Sequence, residues 1–424
     1  MGALTGDTTT TGVPSARAVF AAPGFLAVFV ASSLSTWGDY IARLTIAWVV
    51  FDRTGSALAT AATFAVSLMP TLLGRGLLSG LADRFPYRDV LVASHQMRAL
   101  LAVLLLLGVW RELPVGYLLG GLFLLELCAG PAVAANQILL TDWFPDRRLY
   151  ARAFGLNTLS NQVNQAIGFV LGGSIVALTG PHLALGFDVV TFVLVVAVLL
   201  LVVRRRPPPA AADGRGLVGD LVGALRALSA NRVLVALLGL SVVSVPAIAA
   251  PEAVAIPYAA AQGWPDAWRG LLLAAPVTGA VLGVLVLGRL PATRQLQLML
   301  PMALAMPVPL LLTLTEPPVA VLWLTWFAAG VLQTFMLPLQ ACYSLVVPNA
   351  LRGRLFGLAG ALSVAVTGVA FLFAGWVSGA TTPTASVVVC AVMSLSGIVL
   401  VRSVWPATAV DRAVDAAYTS RTGS

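Results

Sequence analysis

Apolar stretches of about twenty residues or more recur from Phe20 to Trp405, separated by short polar segments that hold most of the charge. Each stretch is near the ~20 residues that a bilayer-spanning helix needs. Backbone polar groups in lipid must be satisfied within the segment, so such runs predict helices. The alternating segments of ~10 residues that mark an outer-membrane barrel are not the pattern here. Spans are predicted near 22–50, 56–82, 89–110, 114–140, 150–178 and 182–203, then near 233–261, 267–289, 294–314, 317–346, 353–380 and 383–405. The pattern is weakest in the seventh and tenth, where Pro246, Pro251, Pro257 and Pro338 intervene. The expected fold is all-α, with twelve transmembrane helices as two six-helix bundles. A tail (1–18), a bundle (19–203), a hydrophilic linker (204–232), a second bundle (233–405) and a final tail (406–424) follow in order, with both tails loosely held.

Composition agrees: 59% of residues are hydrophobic and 10% charged, too little charge to cover a soluble protein. The net charge of +8 raises nucleic acid as a partner, but its distribution argues otherwise. With the amino terminus placed inside, 20 arginines fall on the inner side and 3 (Arg53, Arg111, Arg269) on the outer, while Arg43 and Arg98 lie within spans. This is the positive-inside asymmetry, so the charge sets topology, with both termini cytoplasmic in the cell membrane. The absence of lysine excludes a P-loop nucleotide site and a Schiff-base lysine. His95 and His182 are too few and too far apart for a zinc motif. Cys128, Cys342 and Cys390 sit in apolar runs and suggest packing rather than a disulfide framework. No cofactor or metal is expected, and the first apolar run is too long for a signal-peptide core.

The two halves echo each other. Arg152-Ala153-Phe154-Gly155-Leu156 matches Arg354-Leu355-Phe356-Gly357-Leu358 at an offset of 202, which Gly173 and Gly375 share. Each match opens a span after an inner loop, the fifth and the eleventh. Gly76–Arg88 is echoed by Gly283–Arg294 after the eighth span. A parallel 6+6 repeat of this kind is common in transporters.

Ionisable groups within spans cost about 2.5–3.5 kcal/mol each on insertion scales and are functional candidates. Asp39 and Arg43 lie four apart on one face of the first span and can pair with each other. Arg98, about 13 Å deep in the third span, and Glu126 in the fourth form a second candidate pair. Either these are structural ion pairs, or Asp39 or Glu126 takes up and releases a coupling proton. Asp188 and Glu252 lie nearer the outer ends of their spans and read as snorkelling, capping or packing residues. In the fifth span Asn157, Asn161, Asn164 and Gln165 share one face. Amides facing lipid are costly, so this stripe either glues helices together or lines a cavity. Asn136, Gln137, Gln333 and Gln340 are further cavity candidates; the aromatic residues Trp37, Tyr258, Trp323, Trp326, Phe335 and Tyr343 either contribute to a cavity or belong to lipid-facing or interfacial belts.

The segment Gly76-Leu-Leu-Ser-Gly80-Leu-Ala-Asp83-Arg84-Phe-Pro86-Tyr-Arg88 resembles the inner-loop signature of the major facilitator superfamily, with Pro86 where the signature has glycine. Gly76 and Gly80 share a helix face and admit a close neighbour. The resemblance implies that Asp83 faces the amino terminus of the eleventh span. It also implies that Arg84 or Arg88 pairs with Asp142, closing the inner side of an outward-facing state. Gly38-Asp39, Asp52–Ser56, Arg98, Asp142-Trp-Phe-Pro145, Arg152–Asn157 and Asp188 resemble the drug:proton antiporter branch, which includes macrolide efflux proteins and enterobactin exporters. Gly168-Phe169-Val170-Leu171-Gly172-Gly173 is similar to the exporters' motif, with Phe169 in place of proline and a glycine face kept for close packing.

The resemblance implies a non-enzymatic secondary transporter, monomeric and embedded in lipid. It would export an amphipathic small molecule, such as a drug, a macrolide-like compound or a siderophore, by proton antiport and alternating access. The alternatives are an importer or lipid-moving protein of the same fold, or a membrane-embedded enzyme. For the last, His95 has no evident Ser or Cys partner at a fixed spacing.

Overall fold

The computed structural model describes residues 16–77, 84–206, 226, 228–229, 231–347, 351–406 and 408. No strand occurs among them, and eleven helices are long and apolar enough to cross a membrane. A twelfth helix, Ala57–Leu77, contains Pro70, and its apolar part Ala57–Pro70 is shorter. With it the helices follow the predicted twelve-span order. The first half comprises Phe25–Thr54, Ala57–Leu77, Tyr87–Trp110, a fourth span in two pieces (Val115–Leu127 and Ala129–Trp143), Arg147–Thr179 and Pro181–Val202. The second half runs Arg232–Ala261, Ala267–Leu287, a ninth span (Ala292–Ala305, Val308–Leu311 and the 3-10 turn Leu312–Thr315), a tenth, Arg352–Ala380 and Pro383–Ser403.

Helix ends follow local chemistry. Gly55 closes the first span with φ 61° and donates its N–H to the Phe51 carbonyl at 2.7 Å. The Asp146 side chain caps the fifth span through the Arg148 and Leu149 amides, and Asn231 caps the seventh. Pro181 and Pro383 sit in the first turns of the sixth and twelfth spans, where a missing N–H costs nothing.

The two spans with the weakest pattern behave differently. The seventh stays one helix despite Pro246, Pro251 and Pro257. Beside Pro246 the Ala247 N–H donates to Ser394 Oγ of the twelfth span at 3.0 Å, a rescue by a neighbouring helix. The tenth breaks into Val319–Leu332, a 3-10 turn Gln333–Phe335, and Met336–Val346.

The amino-terminal tail, expected loose to residue 18, already forms a short helix at Ala16–Phe20. Val19 is fully buried in a cluster with Phe25, Phe144 and Ala153. The rest of that tail, most of the linker and the final tail lie outside the described residues.

The halves meet through two crossed pairs, the second span on the eleventh and the fifth on the eighth. On the face opposite the arginine-rich one the contact is backbone-close. A Cβ placed on Gly173 would lie 2.6 Å from the Gly270 Cα, and one placed on Gly375 would lie 2.5 Å from the Ala61 Cβ. Phe64 and Phe371 pack across the same seam with ring centroids 5.8 Å apart. Toward the arginine-rich face, Gly155, Gly357 and Gly360 have nothing within 4 Å of a placed Cβ. Phe154 and Phe356, the equivalent aromatics of the repeat, are both exposed. Among the described residues the bundle is sealed at one face and parted at the other.

Candidate functional site

Charges buried in the first half cluster between the first, third, fourth and sixth spans. Arg98 Nη2 donates to Asp39 Oδ1 at 2.6 Å, and Arg43 Nη2 donates to Glu126 Oε1 at 2.8 Å. Arg98 and Glu126 are almost wholly buried, at 4% and 5% exposure. The partners are exchanged relative to both sequence-based pairings, Asp39 with Arg43 and Arg98 with Glu126. Residues four apart on a helix share a face, but within that face each side chain reaches the helix nearest its own level. Asp39 meets the third span and Arg43 the fourth. The Arg98 guanidinium also lies over the Phe192 ring of the sixth span at 4.5 Å, and that of Arg43 over Tyr40 at 5.2 Å. Breaking one member of such a pair strands a buried charge, at a cost of about 3–5 kcal/mol.

Of the three expected readings of Asp188, snorkelling, capping and packing, the structure matches only packing. It is 0% exposed, and its carboxyl packs where a Cβ on Gly38 would be, 2.5 Å from Oδ1. The glycine before Asp39 is therefore required by the sixth span. Glu252 is half-buried within the seventh span. Sequence reasoning passed over Asp188 by counting residues from the helix end. The available signal was Gly38, a small residue beside a buried acid.

Two cavities reach inward from the arginine-rich ends of the helices. A polar one of about 350 Å³ lies within the first half and is lined by Ser32, Asp39, His95, Arg98, Asn136, Gln137, Asn157 and Asn161 among others. A more apolar one of about 620 Å³ lies between the halves, lined by Leu159, Gln162, Val245, Ile248, Val284, Gln333, Met336 and Gln340 among others. Phe154 and Thr158 of the fifth span border both.

The amide stripe of the fifth span divides. Asn157 and Asn161 line the polar cavity. Asn164 is instead buried against the first span, accepting from Trp37 Nε1 at 2.9 Å and donating to Ser160 Oγ at 3.1 Å. Gln165 is half-buried and lines neither cavity. The aromatic candidates do not line the cavities either. Tyr258, Trp326, Phe335 and Tyr343 are buried in the core, and Trp323 donates to the Leu271 carbonyl and stacks on Phe327. These candidate rings, unlike Phe154, fill the space between helices rather than walling either cavity.

The glycines of the fifth span mark close approaches. A Cβ on Gly168 would lie 2.6 Å from Tyr40 Cβ, and one on Gly172 would lie 3.2 Å from Ile41 Cα; Gly173 abuts Gly270. Phe169, at the motif's proline position, is buried edge-on against Tyr40 within an unbroken helix.

At the arginine-rich face Gly76 falls in the last turn of the second span, and Gly80 and Asp83 lie outside the described residues. The expected pairing of Asp142 with Arg84 or Arg88 is not formed. Asp142 pairs with Arg206 and accepts from the Tyr87 hydroxyl at 3.0 Å. Arg88 donates to the Leu200 carbonyl at 3.1 Å, and Arg84 is exposed. Arg205 takes Asp89 at 2.8 Å. Arg205 and Arg206, just after the sixth span, thus pair with acids of the third and fourth spans. At the sealed face Arg269 of the eighth span bridges to Asp52 of the first at 2.9 Å and to Asp266 at 3.0 Å, with its guanidinium over Trp48 at 4.3 Å.

Two six-helix halves, a seam that among the described residues closes at one face, and a polar cavity ending at a buried ion pair define the class: a polytopic helical transporter. The Major Facilitator Superfamily profile matches residues 28–365, and the chain belongs to that family. No curated protein matches the chain in sequence. Among solved structures it is similar to the peptide transporter POT in complex with sulfate (TM-score 0.69, 13% identity, 92% of this chain and 96% of that one). It is also similar to the nucleoside transporter NupG (0.67, 13%, 90% and 98%). A third is a bacterial homolog of the human lysosomal transporter Spinster, in an inward-facing and unoccupied conformation (0.60, 15%, 92% and 94%). At these identities the likeness is one of fold.

Proposed function

We propose that this protein is a proton-driven exporter of an amphipathic small molecule, in the drug:proton antiporter branch, acting as a monomer in the plasma membrane with both termini cytoplasmic. The observation that carries the coupling is the polar cavity ending at the Asp39–Arg98 pair. A proton arriving at Asp39 competes directly with the guanidinium that neutralises it, so protonation and helix contacts are linked. Glu126 with Arg43 is the second such pair. In this reading the arginine-rich face is cytoplasmic and the structure is the inward-open state. Alternating access then proceeds by rocking of the halves, with the Arg269–Asp52 bridge and the Gly173–Gly270 contact parting.

The wider cavity between the halves, apolar with a few amides and hydroxyls, suits an amphipathic cargo. The drug, macrolide-like or siderophore class, and the outward direction, come from the resemblance. Gly76, Gly80, Asp83, Arg84 and Arg88 would close the cytoplasmic face in the opposite state, drawing Asp142 away from Arg206.

Everted vesicles containing the protein test this with three labelled probes, a macrolide, a catecholate siderophore and an aromatic dye. Accumulation of at least one probe when the lumen is acid, abolished by a protonophore, is the expected result. Accumulation unaffected by the protonophore would refute the coupling, and net release of preloaded probe would indicate import.

A further inference from the structure

Asp188 is the one buried acid of the charge cluster that has no counter-ion. Neither carboxylate oxygen has a hydrogen-bond partner among the described residues. Thr191 Oγ1, which meets Gly38 at the same point as the Asp188 carboxyl, spends its proton on the Asp188 backbone carbonyl at 2.7 Å. Leaving a bare carboxylate in such a place costs several kcal/mol. The acid must therefore hold a proton or borrow a cation.

One cation is in position. Arg98 lies over Phe192, one helical turn beyond Asp188 on the same face of the sixth span. Its Nε has no hydrogen-bond partner among the described residues. From the first span the Gly38 backbone touches the Asp188 carboxyl, which places Asp39 on the adjacent residue. The other charged or titratable groups at this level are Tyr40, which lies under the Arg43 guanidinium, Arg43, His95, Glu126 and Cys128. Arg43 and Glu126 are paired together, and His95 stands against Phe192 at 6.0 Å. The fifth span, also packed on the sixth, carries no ionisable side chain beyond Arg152.

We propose that Asp188 is a second proton-binding residue of the transport cycle, sharing the Arg98 guanidinium with Asp39. This rests on the proton coupling proposed above. In the inward-open arrangement Arg98 neutralises the Asp39 carboxylate and Asp188 holds a proton. The proton then passes from Asp188 to Asp39 while Arg98 moves the opposite way. One O–H bond breaks at Asp188 as one forms at Asp39, and the net charge of the three groups stays zero. Asp39, which lines the polar cavity, releases its proton to the cytoplasmic side. Asp188, about 10 Å from the start of its span, takes the next from the opposite face, and Arg98 returns.

Infrared spectroscopy of the full chain in lipid nanodiscs tests this without any cargo. The carbonyl band of a protonated carboxylic acid is expected in the wild type and absent in Asp188→Asn. It is also expected to vanish in Asp39→Asn, because Arg98, freed of its partner, ionises Asp188. A band that Asp188→Asn removes but Asp39→Asn retains would show an isolated acid that does not share Arg98, and would overturn the proposal. So would a spectrum that Asp188→Asn leaves unchanged. If Asp188→Asn does not fold, Asp39→Glu decides: a band that keeps its frequency comes from another acid, as the proposal requires, whereas a band that shifts belongs to Asp39 itself and would overturn the proposal. Because no transport is measured, failure here is distinct from failure of the vesicle assay.

Discussion

Replacing Gly270 with alanine should move the conformational equilibrium away from the described state. Its Cβ would lie 2.5 Å from both the Gly173 Cα and the Phe169 carbonyl oxygen, and 2.8 Å from the Gly173 nitrogen. Ordinary carbon contacts are about 3.5–4.0 Å, so the fifth and eighth spans must part by roughly 1 Å. The obstruction is backbone, which has no rotamer to change. Overpacking of this kind costs about 1–3 kcal/mol. That cost applies only to the state in which these helix ends touch, so the ratio of states should change by about 5- to 150-fold. The change can be read by double electron–electron resonance between spin labels at His182→Cys and Thr381→Cys, exposed positions on the sealed face of each half. Cys128, Cys342 and Cys390, which form no disulfide, would first be replaced by alanine or serine. Gly270→Ala should increase the long-distance population. Gly120→Ala, an exposed position of the fourth span with nothing within 4 Å of its placed Cβ, should leave the distribution as in the wild type. An unchanged distribution in Gly270→Ala would refute the reading of this contact as the closed seam.

Removing the other elements of the seam and the cluster should have graded effects. Arg269→Gln loses the bridges to Asp52 and Asp266, whose carboxylates are half exposed, and the contact with Trp48. About 1 kcal/mol is expected, visible as a roughly fivefold shift in the same resonance measurement that shrinks at high salt. Asp39→Asn and Glu126→Gln should each abolish coupled accumulation in everted vesicles at matched expression, and activity retained in both would remove the proton-site assignment. Arg43→Met should lower detergent melting temperature more than Arg43→Met with Glu126→Gln, because the single change strands a buried carboxylate worth about 3–5 kcal/mol. Asn164→Ala should cost only about 0.6–1.7 kcal/mol, the range for interhelical hydrogen bonds in membranes, and should leave transport intact.

Much of the fold was legible because the membrane imposes simple rules. Spans follow from apolar length, and the Arg152 and Arg354 repeats mark the same point in each half. Side-chain partners were less legible. Helical spacing showed that Asp39 and Arg43 share a face, but neighbour identity depends on how each helix is rotated and raised against the others. The same limit applies to the amides, where one stripe meets a cavity at Asn157 and Asn161 and the first span at Asn164. The aromatic candidates failed for another reason: ring size signals burial as readily as binding, and in the second half burial won. For Asp188 the packing reading fits its burial against Gly38, while the snorkelling and capping readings fail, because counting from the helix end measures depth along the axis but not which way a residue faces.

Proton movement itself is the most direct measure of the central claim. Purified protein in proteoliposomes, with a pH-sensitive dye in the lumen, would receive the probe that the everted vesicles accumulate. The account requires that probe entering the lumen drives protons out, so that the lumen becomes more alkaline, and that Asp39→Asn abolishes the signal. Protons moving in the same direction as the probe, or probe movement with no proton flux, would contradict it.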